Sequence, residues 1–396
     1  MKIKNIFSHR ILITILESYS IKNIILILFI LLLLPSNLNV SKIIDLFKTN
    51  IQNNTKNILF ISPSLGNGGA ERITCRLASE FSKKYNVYLI FFIHIAKEYF
   101  ISPNVKLVEL PKDYLNSENK IFRFIENAIV KYKIDVLINF LRWYSKFDLN
   151  IRKGTKFIFS ERADPSKRNC SKYKVMMSTY EKADIIVFQT NYVKNQFKEN
   201  IKKKGVIIQN PIQIECLSNQ NTNSKKIVTV GRITSQKNQV LLIEAFSIFK
   251  KSHKGYELYI YGIGDLLHIL KKIVKKKELK NSIHFEGFSR HIHKKIKDAE
   301  IFVLSSDFEG QPNALMEAMM MGIPSISTNC SGISEIITDE ENGLLVPVGN
   351  VSSLANAIAR LSDNETLRNK IRKGAIRKSY EWKTERIVKK WEEILF

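Results

Sequence analysis

From Lys56 onward, short and continuously apolar runs alternate with stretches whose apolar residues recur at three- and four-residue steps. The runs at 57–62 (NILFIS), 87–93 (VYLIFFI), 134–140 (IDVLINF), 156–160 (KFIFS), 184–189 (DIIVFQ) and 206–209 (VIIQ) read as strands. Most lack polar alternation, which predicts parallel strands covered on both faces. After the first run, Ala70, Ile73, Leu77 and Phe81 fall on one face of a predicted helix. Residues 216–224 (CLSNQNTNS) are mostly polar and without periodicity, and predict a linker. The pattern then repeats, with strands expected at 226–230, 256–261, 282–287, 301–305, 324–328 and 343–346. A spacing of about 25 to 30 residues per strand–helix pair is that of βαβ units. The implied architecture is two doubly wound α/β domains joined by a hinge. Ile387, Trp391 and Leu395 mark a final amphipathic helix.

The first 55 residues break this rhythm. An unbroken apolar run, IILILFILLLL at 24–34, ends at Pro35 and follows a shorter one at 11–16, with Glu17 and Lys22 between them. As a helix the longer run spans only about 16 Å, against a hydrocarbon core of roughly 30 Å. No small-residue cleavage site follows it, which argues against a removable signal. Residues 1–55 are expected to associate with a membrane, spanning or interfacial; an unordered leader is the alternative.

The chain has 396 residues, 44% of them hydrophobic, enough for two globular domains. Sixty-two basic against 37 acidic residues give a net charge of +25. The basic runs at 201–205 and 271–277 carry no interleaved aromatics, so no nucleic-acid partner is expected. An anionic membrane surface suits them better. Cys75, Cys170, Cys216 and Cys330 are too scattered for a zinc site or a disulfide framework and suit a reducing compartment.

Candidate chemistry concentrates in FEGQPNALMEAMMMGIP, 308–324, where seven residues separate Glu309 from Glu317. Pro312 suits a first helical turn, which places Glu309 in a loop at a strand's C-terminal edge. The amides at 310–314, among them Gly310, Asn313 and Ala314, would then invite an anion, and Leu315 next to them is a further candidate for binding the nucleotide. Carboxylates avoid phosphates, so the two glutamates make sense as acceptors for hydroxyls flanking a diphosphate, as a nucleotide sugar would present them. A capping Glu309 and a solvated Glu317 remain the plainer reading of this motif alone. In VGRITSQKN, 230–238, Arg232 and Lys237 follow the first strand of the second half and could meet the same diphosphate. Gly262 follows the next strand, where close backbone approach to a ligand is easy. Gly66, Gly68 and Gly69 in SLGNGGAER, 64–72, form a glycine-rich strand-to-helix turn without the spacing of a dinucleotide or P-loop fingerprint.

Together, SLGNGGAER, VGRITSQKN and FEGQPNALMEAMMMGIPSISTNCSGISEII resemble the retaining glycosyltransferases of family 4, across roughly residues 57–396. The resemblance implies a GT-B fold: two Rossmann-like domains facing across a cleft, with a C-terminal crossover helix. It implies an acceptor domain over 56–216, a linker over 217–224, a donor domain over 225–376, and a terminal helix over 377–396 packing back on the first domain. Glu317 would bind the donor ribose, Glu309 the transferred sugar, and Arg232 and Lys237 the diphosphate, with Gly66, Gly68 and Gly69 facing it. The implied activity is transfer of a hexose or N-acetylhexosamine from a nucleoside-diphosphate sugar, with UDP expected, to a hydroxyl of a lipid-linked or cell-surface glycan. No cofactor and no metal is implied. The implied location is the cytoplasmic face of a bacterial inner membrane, peripheral or anchored through the N-terminus.

One departure stands out. Many relatives carry a histidine after a first-domain strand, whereas FSERADP, 159–165, has none. Glu161 and Arg162 there are candidates for acceptor or donor contacts, or else a structural ion pair. His291 and His293 are expected on an exposed helix. Another GT-B sugar-nucleotide enzyme (an epimerase or a polysaccharide synthase) and a catalytically silent relative remain as alternatives.

Overall fold

Seven parallel strands build the first half of the computed structural model, which describes residues 55–66, 68–93, 99–140, 154–162, 177, 179–219 and 224–396. They are β1 Asn57–Ser64, β2 Asn86–Ile93, β3 Lys106–Glu109, β4 Val136–Asn139, β5 Lys156–Ser160, β6 Ile185–Phe188 and β7 Gly205–Ile207. Their order is β3-β2-β1-β4-β5-β6-β7. Six more form a second sheet: β8 Lys226–Val230, β9 Glu257–Tyr261, β10 Ile283–Gly287, β11 Ile301–Leu304, β12 Ser325–Thr328 and β13 Leu344–Val346, in the order β10-β9-β8-β11-β12-β13. Every pairing within both sheets is parallel. Each sheet therefore reverses its winding between its first and fourth strands, and the crevice above such a reversal is where open α/β sheets take ligands.

Burial explains the continuous apolar runs. Helices cover both faces of the first sheet, so Ile58 and Phe60 point into one core while Leu59 and Ile61 point into another. β4, β11 and β12 are buried at every position. Strand β3, KLVE, is the exception: it lies at the sheet edge, with Lys106 and Glu109 exposed. Its brevity and polar ends gave no periodic signal.

The chain passes between halves earlier than its polar stretch suggests. Ile208 belongs to the core of the first sheet and Ile212 to that of the second, so the crossing falls at 209–211. Residues from the expected linker instead bond to the second half, Ser218 N–H to the Met321 carbonyl and Asn219 N–H to that of Lys297, each at 2.9 Å. The return crossing lies alongside, with Ile212 N–H donating to the Trp382 carbonyl at 2.8 Å. Helix Thr384–Leu395 then sends Ile387, Trp391 and Leu395 into the first half's core, as its apolar stripe predicts.

The apolar extension expected over residues 1–55 lies outside the described residues, Thr55 excepted. Among the described residues, no helix is long and apolar enough to cross a membrane.

Candidate active site

Two loops of the second half are laced together before any functional group is considered. The loop after β8 makes a 3-10 turn, Ser235–Lys237, and ends at Asn238 in the left-handed region, φ 43°. Asn238 Oδ1 caps helix Gln239–Phe249 by accepting from Leu241 N–H at 3.1 Å, while its Nδ2 donates to Asp307 Oδ1 at 2.8 Å. Asp307 N–H bonds the Gln236 carbonyl, Gln236 Nε2 the Phe308 carbonyl and Ser305 Oγ the Lys237 carbonyl, each at 2.9 Å. This lacing holds the loop after β11 against the loop after β8, at the sheet's winding reversal. Lys237 Nζ is thereby set 2.6 Å from Glu309 Oε1, which also accepts from Ser306 Oγ at 2.5 Å. The Glu309 side chain is 5% exposed, so this ion pair is screened little by solvent.

Helix Asn313–Met321 follows. It is buried from Leu315 to Met321 and stopped by Gly322 at φ 80°. Its first backbone bond runs from Met316 N–H to the Pro312 carbonyl at 3.1 Å, which leaves the amides of Asn313, Ala314 and Leu315 without an intrahelical acceptor. The Leu315 side chain is core; only its amide is available to a ligand. Glu317, one turn along, faces the first half. Arg72 Nη2 donates to its Oε1, and His293 Nε2 lies 3.3 Å from its Oε2. Burial would raise the Glu317 carboxyl, but Arg72 and His293 overcome this and hold it below the ordinary carboxylate range. His293 corrects one expectation: it is buried, not exposed, because it shares the inner face of the short helix Ile292–Ile296 with Ile296. His291 is exposed.

The first half answers with helix Gly69–Phe81, whose first turn carries Glu71 and Arg72. Glu71 curls back, so a Cβ on Gly68 would fall on its carboxylate. Burial raises the Glu71 carboxyl, opposed by its backbone hydrogen bond and by the charge of Arg232 across the cleft. Arg232 itself is exposed. Gly69 has room for a Cβ, 3.6 Å from Asn313 Nδ2, and Gly66 is buried with its carbonyl accepting from Ser64 Oγ at 3.0 Å. Gly310 is partly exposed in the loop before Pro312. Lys237 is thus paired with Glu309, Gly69 faces Asn313, Arg232 acts on Glu71, and Glu317 meets Arg72.

Gly262 serves a different purpose from the one expected. At φ 147° its hydrogen faces the Gly231 carbonyl, and a Cβ would collide with that oxygen, so the close approach is of backbone to backbone. Gly262→Ala is expected to destabilise the protein by about 1–3 kcal/mol. Urea unfolding checks this, and an unchanged midpoint would refute the packing explanation.

Behind these groups lies a polar network in which sequence reasoning singled out Asn313 and Arg162 but not Asn210, Gln189 or Gln311. Asn210, at the crossing between halves, donates from Nδ2 to Asn313 Oδ1 and from its N–H to Gln311 Oε1, both at 2.6 Å. Gln189 Nε2 bridges Asn210 Oδ1 at 2.8 Å and Gln311 Oε1 at 3.3 Å. Arg162 Nη1 also donates to Asn210 Oδ1. Glu161, by contrast, is fully buried on the first-half side, where its carboxylate accepts from the Tyr180 hydroxyl.

Residues 216–378 match the family model described as glycosyl transferases group 1. The chain is 30% identical over 333 residues to a Campylobacter jejuni N-acetylgalactosamine-N,N'-diacetylbacillosaminyl-diphospho-undecaprenol 4-alpha-N-acetylgalactosaminyltransferase, covering 77% of this chain and 90% of that one. This chain is a group 1 glycosyltransferase. The glycosyltransferase is also 34% identical over 149 residues to the putative colanic acid biosynthesis glycosyltransferase WcaL of Escherichia coli, 36% of this chain and 37% of that one. Its fold is GT-B. Anabaena HepE bound to UDP-glucose superposes with a TM-score of 0.75 at 16% identity, over 86% of this chain and 99% of that one. The pneumococcal O-GlcNAc transferase GtfA bound to UDP and GlcNAc does so with 0.74 at 14%, over the same shares.

Proposed function

We propose that this glycosyltransferase moves a hexose or N-acetylhexosamine from UDP to a hydroxyl of a lipid-linked glycan at a membrane surface, with retention at the anomeric carbon. The reading is supported by the buried Lys237–Glu309 pair, by the Glu317 carboxylate held between Arg72 and His293, and by the helix-start amides of Asn313, Ala314 and Leu315 that lie between the two glutamates in the chain. A diphosphate seated on those amides would have Lys237 and Arg232 on one side. Glu309 would take a hydroxyl of the sugar and Glu317 one of the ribose. As the bond from anomeric carbon to β-phosphate oxygen breaks, negative charge grows on that phosphate, where fixed cations and amides lower the barrier. The acceptor oxygen forms its bond on the same face, and its proton passes to the departing phosphate oxygen. Positive charge in this scheme is supplied by side chains and amides, without a metal.

The lipid-linked acceptor is suggested by the C. jejuni relative, whose name specifies a diphospho-undecaprenol substrate and an alpha linkage. UDP is suggested by the nucleotide in the HepE and GtfA structures. The net charge of +25 suits an anionic membrane. The test is thermal stabilisation by UDP, GDP and ADP sugars, then mass spectrometry of products formed on lipid-linked oligosaccharides. UDP and one UDP-sugar are expected to raise the melting temperature by several degrees. Stabilisation by none, or UDP-sugar turnover to an isomer without acceptor, would overturn the reading.

A further inference from the structure

Arg162 follows β5 on the first-half wall of the cleft, and its hydrogen bonding is lopsided. Nη1 donates to Asn210 Oδ1. Nε and Nη2 are shut off from solvent, with no hydrogen-bond partner among the described residues. These two nitrogens form one edge of the guanidinium, the side-on fork that grips two oxygens of a single carboxylate or phosphate. The face of Phe140 lies 4.4 Å from the guanidinium carbon and restrains its plane. Glu161, the neighbouring acid, accepts from the Tyr180 hydroxyl. Desolvation pushes the Arg162 pKa down to about 9, with Glu161 opposing only in part.

A second unused donor comes from the other half. Gln311 spends Oε1 on Asn210 N–H and Gln189 Nε2, while its own Nε2 is buried without a partner. Asn210 thus touches both side chains whose donors are idle. Buried donors left idle are costly, and one cationic fork beside a neutral amide donor offers hydrogen bonds suited to an oxyanion. The donor's diphosphate already has Lys237 and the 313–321 helix start, all in the second half, whereas Arg162 stands on the first half.

We infer that the Arg162 fork, with Gln311 Nε2, is a binding site for a phosphate or diphosphate oxyanion carried by the acceptor. This deepens the proposed function and rests on it, since it presumes an acceptor distinct from the nucleotide. The site would set the distance between the acceptor's anionic group and the hydroxyl that is glycosylated. Acceptors without such a group would then be poor substrates.

The test uses the full chain, farnesyl diphosphate as probe, and calorimetric titration in saturating UDP. Wild type is expected to bind the probe beside UDP. Arg162→Lys keeps the charge but loses the fork, and is expected to weaken the probe by about tenfold while leaving UDP affinity unchanged. Gln311→Glu places a carboxylate oxygen next to the fork, with Asn210 N–H and Gln189 Nε2 still able to donate to it. That variant is expected to melt no lower than wild type and to lose the probe. If Arg162→Lys fails to fold, Gln311→Glu alone decides. Probe binding indifferent to both variants would make Arg162 a packing residue and overturn the inference. So would displacement of the probe by UDP, which would assign the fork to the donor. Absence of probe binding with UDP still bound sinks the inference and spares the proposed function; absence of UDP binding sinks the latter.

Discussion

Lys237→Ala is expected to lower kcat by a factor on the order of 10² to 10³, equivalent to about 3–4 kcal/mol of transition-state stabilisation. The ammonium is fixed by backbone lacing beside the proposed diphosphate site, 2.6 Å from Glu309. Because that charge matters most as the phosphate departs, turnover should fall more than the donor KM rises. A structural effect accompanies it. Among the described residues, Glu309 would be left buried with only Ser306 as donor, and breaking a buried pair from one side costs about 3–5 kcal/mol. Circular dichroism melts separate the two effects, and assays are run well below the variant's midpoint. Lys237→Ala/Glu309→Gln removes the stranded charge, so it should recover stability without recovering turnover. A folded Lys237→Ala protein with kcat near wild type would refute the role given to Lys237.

What the chain revealed on reading, and what it withheld, follows from the range of each interaction. The strands were legible because burial on both faces demands apolar residues in unbroken runs, as in VYLIFFI, which became β2. Lys106–Glu109 escaped because an edge strand with exposed ends satisfies no such demand. Glu309 and Glu317 stood out because loop, proline and helix start are local features. Arg72 lies 245 residues from Glu317, and Asn210 lies 103 from Asn313. Nothing local marks such partners; only folding both sheets brings them together. His293 offered a weak signal, since its three-residue spacing to Ile296 puts both on one helical face, yet the surrounding lysines suggested a solvated helix. The hinge was misplaced for a related reason. Polar residues at 216–224 look like a linker, whereas the crossing at 209–211 is held by the Asn210 side chain and by Arg76 Nη1 on the Pro211 carbonyl at 3.0 Å.

Glu317→Gln and Arg72→Met should both gain on wild type as pH falls, the first because the group no longer titrates and the second because its shift is reversed. In the folded protein Arg72 and His293 hold the Glu317 carboxyl below its ordinary value of about 4.3 in an unfolded chain. A depressed folded pKa contributes stability that is complete above the unfolded pKa and lost as pH drops through the folded one. The melting temperature of wild type should therefore exceed that of Glu317→Gln most at neutral pH, by the equivalent of about 3 kcal/mol, since Arg72 loses its buried partner. Arg72 is itself 24% exposed, which places the loss at the low end for such pairs. Below about pH 4.5 the difference should shrink, because wild type is losing its carboxylate as well. Arg72→Met leaves burial to act on Glu317 with only His293 against it. The carboxyl should then titrate upward, and a raised folded pKa makes acid stabilising, so this variant should gain on wild type as pH falls. Melting curves of the three proteins from about pH 3.5 to 8 read the two slopes directly. Parallel curves at every pH would mean that the Arg72–Glu317 contact carries no net charge coupling.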